Sequence, residues 1–546
     1  MVQIKKLPCN INSFETIITN NHVYVDKTAY LAKMIADGGK AFLLLRPRRF
    51  GKSLIVSTLI SLFSGNKDLF KGLAIEKFLR KEPFAPRPVI HLDLAAAAAS
   101  QGLDGFGGSL GRQMATVADE LNVPVNLDLA PSEILWELIA GTARKYGEQV
   151  AVLIDDYDTP VTDLWDKPTE ADKVRKTLGR YFTTLKALDN YTSFVLLTGV
   201  TKAVLGGPYS AFDTVTDISL DPGYGALTGF THEELTHHFK AHIDKTAERR
   251  ETSPEALLEG MGRHYHGYCF DNETLLYNPH STLSFFDYKT FDDFWFSASA
   301  PDKLVSFLNE MGFMPNQFRF ATVPSLLMDS PDVSRFESTD VLLFRMGYLS
   351  LKPTRDEKPP LSRDPDYLLD YPNALSRTSM AQRFLLSYFP SADETDDVIR
   401  QTQSALTEGD HLSLIDVFDL LIHKISLVYY VRDRKEVPYY RDLFLTLFYA
   451  MNLDPTADER GPLGESELLI RYGARTWFVG LTVTHGKRTV DRKHASDTLK
   501  QLLAKDLAAR YENPLTLALT VNDYHGEISG WARHDERGRS LSPQHG

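Results

Sequence analysis

The sequence predicts an α/β protein: a parallel sheet with flanking helices in the first half, and a second, smaller α/β pattern near the C-terminus. Three observations predict it. Short apolar strands at Ala41 to Leu45, Val89 to Leu94, Val150 to Asp155 and Ser193 to Val200 alternate with helical patterns, the order a parallel sheet requires. The first strand runs through a tight loop, Arg46-Pro-Arg-Arg-Phe-Gly-Lys-Ser53, straight into a helix. After Val437 the pattern of helix, strand, strand, helix and strand starts afresh.

Composition narrows the classes. The chain has 546 residues and a net charge of −12, from 60 Lys and Arg against 72 Asp and Glu. At roughly 150 residues per domain, that length predicts about three or four folded units. With 43% hydrophobic and 24% charged residues, bulk disorder is excluded. The acidic balance argues against non-specific coating of nucleic acid and leaves room for a local basic groove. Two cysteines, Cys9 and Cys269, exclude a disulfide framework and a cysteine-based zinc site, and fit a reducing compartment. Lys5 and Lys6 are not followed by the apolar core of a secretion signal. The apolar runs are far shorter than the ~20 residues of a membrane span. A cytoplasmic protein with no membrane partner is expected, and export by a route without a cleavable signal stays open.

Each element follows from its local pattern. The helix from Lys52 to about Ser64 is apolar on most faces and is expected to be buried. The alanine run Ala95 to Ala99, ahead of the glycine-rich stretch Gly102 to Gly111, reads as a flexible entry to a helix. Thr231-His-Glu-Glu234 has the spacing of a capping box. Residues 240–375 mix helices with aromatic segments, and Pro353 to Pro372 reads as a boundary loop. Thr378 to Tyr430 is helical in pattern. The C-terminal pattern comprises a helix (Tyr440 to Met451), strands Glu467 to Tyr472 and Thr476 to Val483, a helix (Ala495 to Tyr511) and a strand (Leu515 to Val521). The polar tail from His534 is expected to be disordered. The domains expected are 1–235, a middle region 236–375, a helical connector 376–435, a C-terminal domain 436–533 and the tail 534–546.

Strand, loop ending in Gly-Lys-Ser, then helix is what a nucleoside triphosphate needs. Backbone N–H groups over Arg49, Phe50, Gly51, Lys52 and Ser53, together with the helix N-terminus, surround the phosphates. Lys52 reaches the β- and γ-phosphates and the Ser53 hydroxyl ligates Mg²⁺. The full pattern wants glycine at the first loop position, where this chain has Arg46. Val150-Ala-Val-Leu-Ile-Asp-Asp156 is an apolar strand ending in two acids, as a Walker B strand does. Asp155 is expected beside Mg²⁺, through water, and Asp156 is the candidate for polarising the attacking water. The other two strands match the additional-strand class of P-loop ATPases, in which a polar residue at the end of the fourth strand, here Thr198 or Thr201, senses the γ-phosphate. The competing reading is a Rossmann-like domain in which Asp155 and Asp156 only cap a strand.

A set of motifs carries a family resemblance. Tyr24-Val-Asp-Lys-Thr28, Arg46 to Ser53, Leu153-Ile-Asp-Asp-Tyr-Asp-Thr-Pro160, Thr198-Gly-Val-Thr-Lys202, and Asp217 to Pro222 with Gly229-Phe-Thr231 resemble the bacterial AAA-ATPase-like family. So do Gly267-Tyr268, Tyr277-Asn-Pro279, Phe294-Trp-Phe296, Gly347-Tyr-Leu349 and Tyr371-Pro-Asn373. The likeness spans roughly Phe14 to Asn373. It implies an ATP- and Mg²⁺-dependent P-loop ATPase in which Arg46 at the glycine position is normal. Family members usually carry Asp-Glu where this chain has Asp155-Asp156, and the shorter side chain implies slow hydrolysis. They also usually have Ser-Gly-Leu-Asn-Asn where this chain reads Ser210-Ala-Phe-Asp-Thr214.

Members of that family commonly end in a PD-(D/E)XK nuclease-like domain, a restriction-endonuclease-like α/β fold. Such chemistry needs an acid at the end of one strand, and an acid and a lysine two residues apart on the next, to hold Mg²⁺ and position water. Gly464 to Ile470 resembles the first strand, with Glu467 at the metal position. On the second strand Gly480 and Thr482 occupy the acid and lysine positions, and Gln501 retains one recurring polar position of the following helix. The resemblance implies a nuclease-like fold without nuclease activity, and an unrelated α/β domain is the alternative.

Other signals are read as structural. His238 and His242, with His237 adjacent, have zinc-compatible spacing but lack a second ligand cluster, so a solvated face is expected. The aromatic cluster from Tyr265 to Phe296 is poor in interleaved cations, with Lys289 alone, and reads as core or interface rather than a base-stacking surface. Lys487, Arg488, Arg492 and Lys493 read as a solvated turn. The function expected is a slowly hydrolysing ATPase whose nucleotide state controls a degenerate nuclease-like domain that binds protein or nucleic acid. The alternatives are a non-hydrolysing scaffold or switch and an ATP-regulated DNA nuclease. A homo-oligomer is compatible with either, with a neighbouring subunit donating an arginine.

Overall fold

A computed structural model of the chain describes residues 4–81, 84–99, 105–164, 167–202, 215–298, 302–328, 338–353, 366–389, 391–428, 437–455, 467–485, 491–504, 511, 514–534 and 540–541. The chain divides into two compact units. One comprises Met1–Trp295 and Phe320–Asn373; the other comprises Phe296–Arg319 and Ala374–Gly546.

The first unit is built on a parallel sheet of β1 (Ala41–Leu45), β2 (Val89–Asp93), β3 (Val150–Asp155), β4 (Thr192–Gly199) and the two-residue β5 (Thr216–Asp217), in the order β2-β3-β4-β1-β5. Successive residues of a strand point to opposite faces, so a strand covered on both sides reads as one apolar run. Leu43 and Leu45 of β1 join a core with Val152 and Ile154 and the helices Gly105–Glu120, Pro131–Tyr146 and Pro168–Ala187. Phe42 and Leu44 join the opposite core with Leu153, Leu196 and the helix Lys52–Phe63, which is buried as expected. The alanine run differs from expectation: Leu94–Ala99 is itself a helix. Alanine has the strongest helix propensity, and the Asp93 side chain accepts from Ala96 N at 3.0 Å, satisfying an N-terminal amide.

The remainder of this unit is helical and carries a small antiparallel sheet of β6 (Ala321–Pro324), β7 (Ser350–Leu351) and β8 (Asp366–Asp370) in the order β6-β8-β7. β8 falls inside the stretch expected to be a loop, where Tyr367, Leu368 and Leu369 supply strand character between polar flanks. The capping box at Thr231 is present: its hydroxyl accepts from Glu234 N while Glu234 accepts from Thr231 N at 2.8 Å. Glu234 also receives the buried Lys27 ammonium at 2.6 Å.

The second unit has a mixed sheet of β9 (Glu467–Tyr472), β10 (Arg475–Thr484), β11 (Leu515–Asn522), β12 (Glu527–His534) and β13 (Ser540–Leu541), hydrogen-bonded in sequence order. β10 and β11 are parallel and connected through the helix Asp491–Leu503, whose Ala495 and Leu499 pack on Ala518 and Ala532. The other pairs are antiparallel. Residues 540–541, in the stretch expected to be a disordered tail, pair with Arg533 and His534. The helices Ala392–Glu408 and His411–Val428 dock on this sheet rather than forming a separate connector. Trp477 Nε1 donates to Leu406 O at 3.2 Å, Arg475 Nε to Thr407 O at 2.7 Å, and Ile528 N to Asp419 Oδ1 at 2.7 Å. Asn316 and Arg319 belong here too, through Asp442 at 2.7 Å and Asp454 at 2.8 Å.

Candidate nucleotide-binding site

The parallel strands β1, β3 and β4 end together, and the loop 46–51 leaves that edge for the helix Lys52–Phe63. The turn needs unusual backbone. Arg49 has φ +64° and Gly51 φ +92°, both left-handed, and only glycine adopts the second without strain from a Cβ. Asp156, at the end of β3, is left-handed too, at φ +46°. Backbone outliers of this kind gather where the surrounding structure over-determines a site.

Lys52 is 5% exposed, and its Nζ donates to the loop's own carbonyls, Arg46 O at 3.2 Å and Pro47 O at 3.3 Å. The same ammonium stands 3.6 Å from Asp156 Oδ1. β4 lies between β1 and β3, and Thr198 near its end bridges the two acids. Its hydroxyl donates to Asp155 Oδ1 and accepts from Asp156 N at 3.3 Å. Burial pushes the Asp156 carboxyl above its ordinary range. Lys52 opposes that shift, while Asp155, Asp158 and Asp93 add to it. Lys52, Asp155, Asp156 and Thr198 are thus brought together. Ser53 is half-buried in the first turn of the helix. The Asp155 carboxylate is buried at the end of β3 with the Asp156 carboxylate next to it in the chain, and carboxylate oxygens are the donors that Mg²⁺ takes.

Thr201 is turned elsewhere. Its amide and hydroxyl donate to Asp158 Oδ2 at 2.6 and 2.7 Å, and its carbonyl accepts from Tyr157 Oη at 2.6 Å. Asp158 therefore ties the ends of β3 and β4 from inside. A Cβ on Gly199 would come within 2.6 Å of Asp158 Oδ1 and the Tyr157 ring, so the approach demands glycine there. The third acid of the Asp155-Asp-Tyr-Asp158 run was the available signal for this role.

Arg46, at the first loop position, is 1% exposed and is turned into the core. It donates to Leu45 O at 2.9 Å, Ser219 O at 2.6 Å, Tyr224 O at 3.2 Å and Thr228 Oγ1 at 3.2 Å, and stacks 4.4 Å from the Phe270 ring. Burial lowers its pKa to about 10, against the opposing pull of Asp271 and Asp217. Phe50 is fully buried between Tyr268 and Phe270, so only its backbone is available to a ligand. Burying such a ring contributes roughly 1.5–3 kcal/mol. Trp295 Nε1 donates to Arg48 O at 2.9 Å, which makes the aromatic cluster a support for the loop. Arg49 reaches out to His280, at 2.9 Å.

Of the remaining candidates, His238 and His242 are kept below their ordinary pKa by burial. Among the described residues no group of three or more His, Cys, Asp or Glu could hold a metal ion. In the second unit Glu467 lies opposite Gly480 across the β9–β10 ladder. A Cβ on Gly480 would come within 2.7 Å of Leu502 and 2.9 Å of Thr498, and the Thr482 hydroxyl is bonded to that of Thr498 at 2.6 Å. Gln501 is exposed. Ser210 to Thr214, Lys487 and Arg488 lie outside the described residues, and no helix among those described is long and apolar enough to cross a membrane.

Sheet, loop and acidic strand end are together consistent with a P-loop nucleoside triphosphatase domain. Comparison with known proteins agrees: residues 8–207 match the model of a family described as predicted AAA-ATPase. An uncharacterized protein from the vnfD 5′ region of Azotobacter chroococcum mcd 1 is 29% identical over 523 residues, covering 93% of this chain and 94% of that protein. Among solved structures, the Aeropyrum pernix ORC1 protein in complex with DNA is similar over 65% of this chain and 91% of that one, at 12% identity and a TM-score of 0.23.

Proposed function

We propose that the first unit binds Mg·ATP and hydrolyses it slowly, and that its nucleotide state governs a nuclease-like second unit that binds rather than cuts. The observation that carries the first part is Lys52, at the start of the helix that follows β1, at 3.6 Å from Asp156, just past β3, with β4 between β1 and β3, the arrangement of the additional-strand class of P-loop ATPases. Lys52 would follow the β- and γ-phosphates, leaving the loop carbonyls and Asp156. Ser53 and Asp155 would hold Mg²⁺, which neutralises phosphate charge when bound. Asp156, released from Lys52, would accept a proton from the attacking water. Its raised pKa suits a base, and its short reach suits slow turnover. Thr198, already bonded to the Asp155 carboxylate and the Asp156 backbone amide, would relay the γ-phosphate's presence to them.

The nuclease-like reading of the second unit is supported by the helix crossover between parallel β10 and β11 beside the antiparallel β9, and by Glu467 at its expected position. Gly480 and Thr482 supply neither acid nor lysine, so a protein or nucleic-acid partner is the occupant in this reading. A non-hydrolysing switch is the second reading, favoured by the engagement of Asp156 with Lys52. The test of the nucleotide site is calorimetry with Mg·ATP. Lys52→Ala should weaken binding tenfold or more, roughly 1.4 kcal/mol. Equal affinity in a folded variant would rule the assignment out.

A further inference from the structure

Three arginines of the loop have three different fates. Arg46 is sealed in the core. Arg48 is exposed and paired with Asp163 at 2.9 Å. Arg49 is exposed as well, but the group it meets is an imidazole: its Nη1 lies 2.9 Å from His280 Nε2. Among the described residues no carboxylate pairs with it.

The contact is built on fixed parts. Arg49 holds a left-handed backbone, uncommon for a residue that is neither Gly nor Asn. His280 sits in the first turn of the helix Pro279–Tyr288, whose N-cap Asn278 is 1% exposed and accepts from Ser281 N at 2.9 Å. Burial, and then the neighbouring Arg49, lower the His280 pKa to about 4. The imidazole is therefore neutral at pH 7 and can accept from the guanidinium. A neutral acceptor orients an arginine without neutralising it, and releases it more readily than a carboxylate would.

We propose that Arg49 is the arginine that meets the γ-phosphate during hydrolysis, supplied by the loop's own chain, and that His280 is the residue that positions it. The proposal rests on the ATPase reading. Water attacks the γ-phosphorus and the bond to the β-phosphate oxygen breaks, its electron pair leaving on ADP. The water proton passes to Asp156 and on to phosphate. Charge spread over the γ-oxygens in between is what a planar guanidinium stabilises. Arg49 stands three residues before Lys52, whose ammonium serves the same phosphates.

The test compares Arg49→Ala, His280→Ala, His280→Gln and Lys52→Ala with the wild type, using Mg·ATP turnover and the affinities for Mg·ADP and a non-hydrolysable ATP analogue. Arg49→Ala should lose about a hundredfold or more in turnover and about tenfold in analogue affinity, with ADP affinity within about threefold. His280→Ala should lose about tenfold in kcat with little change in KM, and His280→Gln, which keeps an acceptor, should recover most of it. Turnover per molecule should not depend on protein concentration, and mixing Arg49→Ala with Lys52→Ala should restore nothing. Where wild-type turnover is too slow to measure, the ratio of analogue to ADP affinity is the deciding quantity. The proposal is overturned by unchanged turnover and analogue affinity in Arg49→Ala, by equal loss of analogue and ADP with a lowered Tm, which marks a mere latch, or by activity restored on mixing, which marks an arginine in trans. Retained nucleotide binding in Lys52→Ala would instead defeat the underlying ATPase reading.

Discussion

Lys52 Nζ and Asp156 Oδ1 lie 3.6 Å apart, joining the start of the loop's helix to the acidic end of β3. The Lys52 ammonium is thus held by oxygens of the protein itself. Two loop carbonyls and one carboxylate surround it, and these are the groups that phosphate oxygens would have to displace in the proposed nucleotide-binding reading.

Hydrolysis is tested most directly at Asp156. If its carboxylate takes the water proton, Asp156→Asn should lower the ATPase rate, since an amide accepts no proton at neutral pH. Asp156→Glu adds one methylene of reach and should raise it. Single-turnover assays separate chemistry from product release. A rate untouched by Asp156→Asn would put the base elsewhere.

Arg46→Gly runs against the motif. The substitution restores the glycine of the general loop pattern yet removes a buried guanidinium that satisfies three carbonyls and a hydroxyl. Breaking such a network typically costs on the order of 3 kcal/mol or more. Thermal denaturation should show a clear fall in Tm, and nucleotide affinity should drop rather than improve.

These residues also mark how far the sequence could be read. Lys52, Asp155 and Asp156 were legible because a strand covered on both faces is a continuous apolar run, and the polar residues that end it stand out. The inward turn of Arg46 was not, because Ser219, Tyr224 and Thr228 lie 173 to 182 residues further along the chain. The same holds for 296–319, whose Asn316 and Arg319 meet partners 126 to 135 residues away. β12 escaped notice because Glu527–His534 is polar, with a glycine in its middle and only partial burial. His280 carries no motif of its own in the sequence, and only the fold brings it to Arg49, 231 residues away.

Asp442 offers a pH test in the second unit. It is 6% exposed, and burial pushes its pKa up to about 6, against the opposing hydrogen bond from Asn316 and the charge of Arg441. The folded-state pKa lies above the unfolded one, so the folded protein binds the extra proton between them. Stability from this group is therefore present below the ordinary carboxylate range and lost as pH rises to about 6. Asp442→Asn removes the ionisation. The Tm of the variant minus that of the wild type should increase from pH 4 to 6 and level off above, equivalent to a swing on the order of 2 kcal/mol. A difference that stays constant across that range would mean that Asp442 does not titrate there.

The last prediction concerns cleavage by the second unit. A metal-dependent nuclease holds its ion with several carboxylates and stabilises charge on the scissile phosphate with the ion and a lysine. Glu467 has Gly480 across the ladder, and the space where a side chain at 480 would begin is filled by Leu502 and Thr498. At 482 the threonine is already bonded to Thr498. Mg²⁺ keeps its waters and binds a lone carboxylate weakly. The purified protein should therefore leave linear, circular and single-stranded DNA, and RNA, intact with Mg²⁺ or Mn²⁺, with or without ATP. Gly480→Glu should not create activity, because the added side chain overlaps those of Leu502 and Thr498 and these must shift to admit it, and a lowered Tm is the expected result. Binding can persist, and a steep fall in affinity with salt would identify it as phosphate contact. Because contaminating nucleases are common, Glu467→Ala serves as the control. Cleavage by the wild type that disappears in Glu467→Ala would show an intact active site built from residues other than those at 480 and 482.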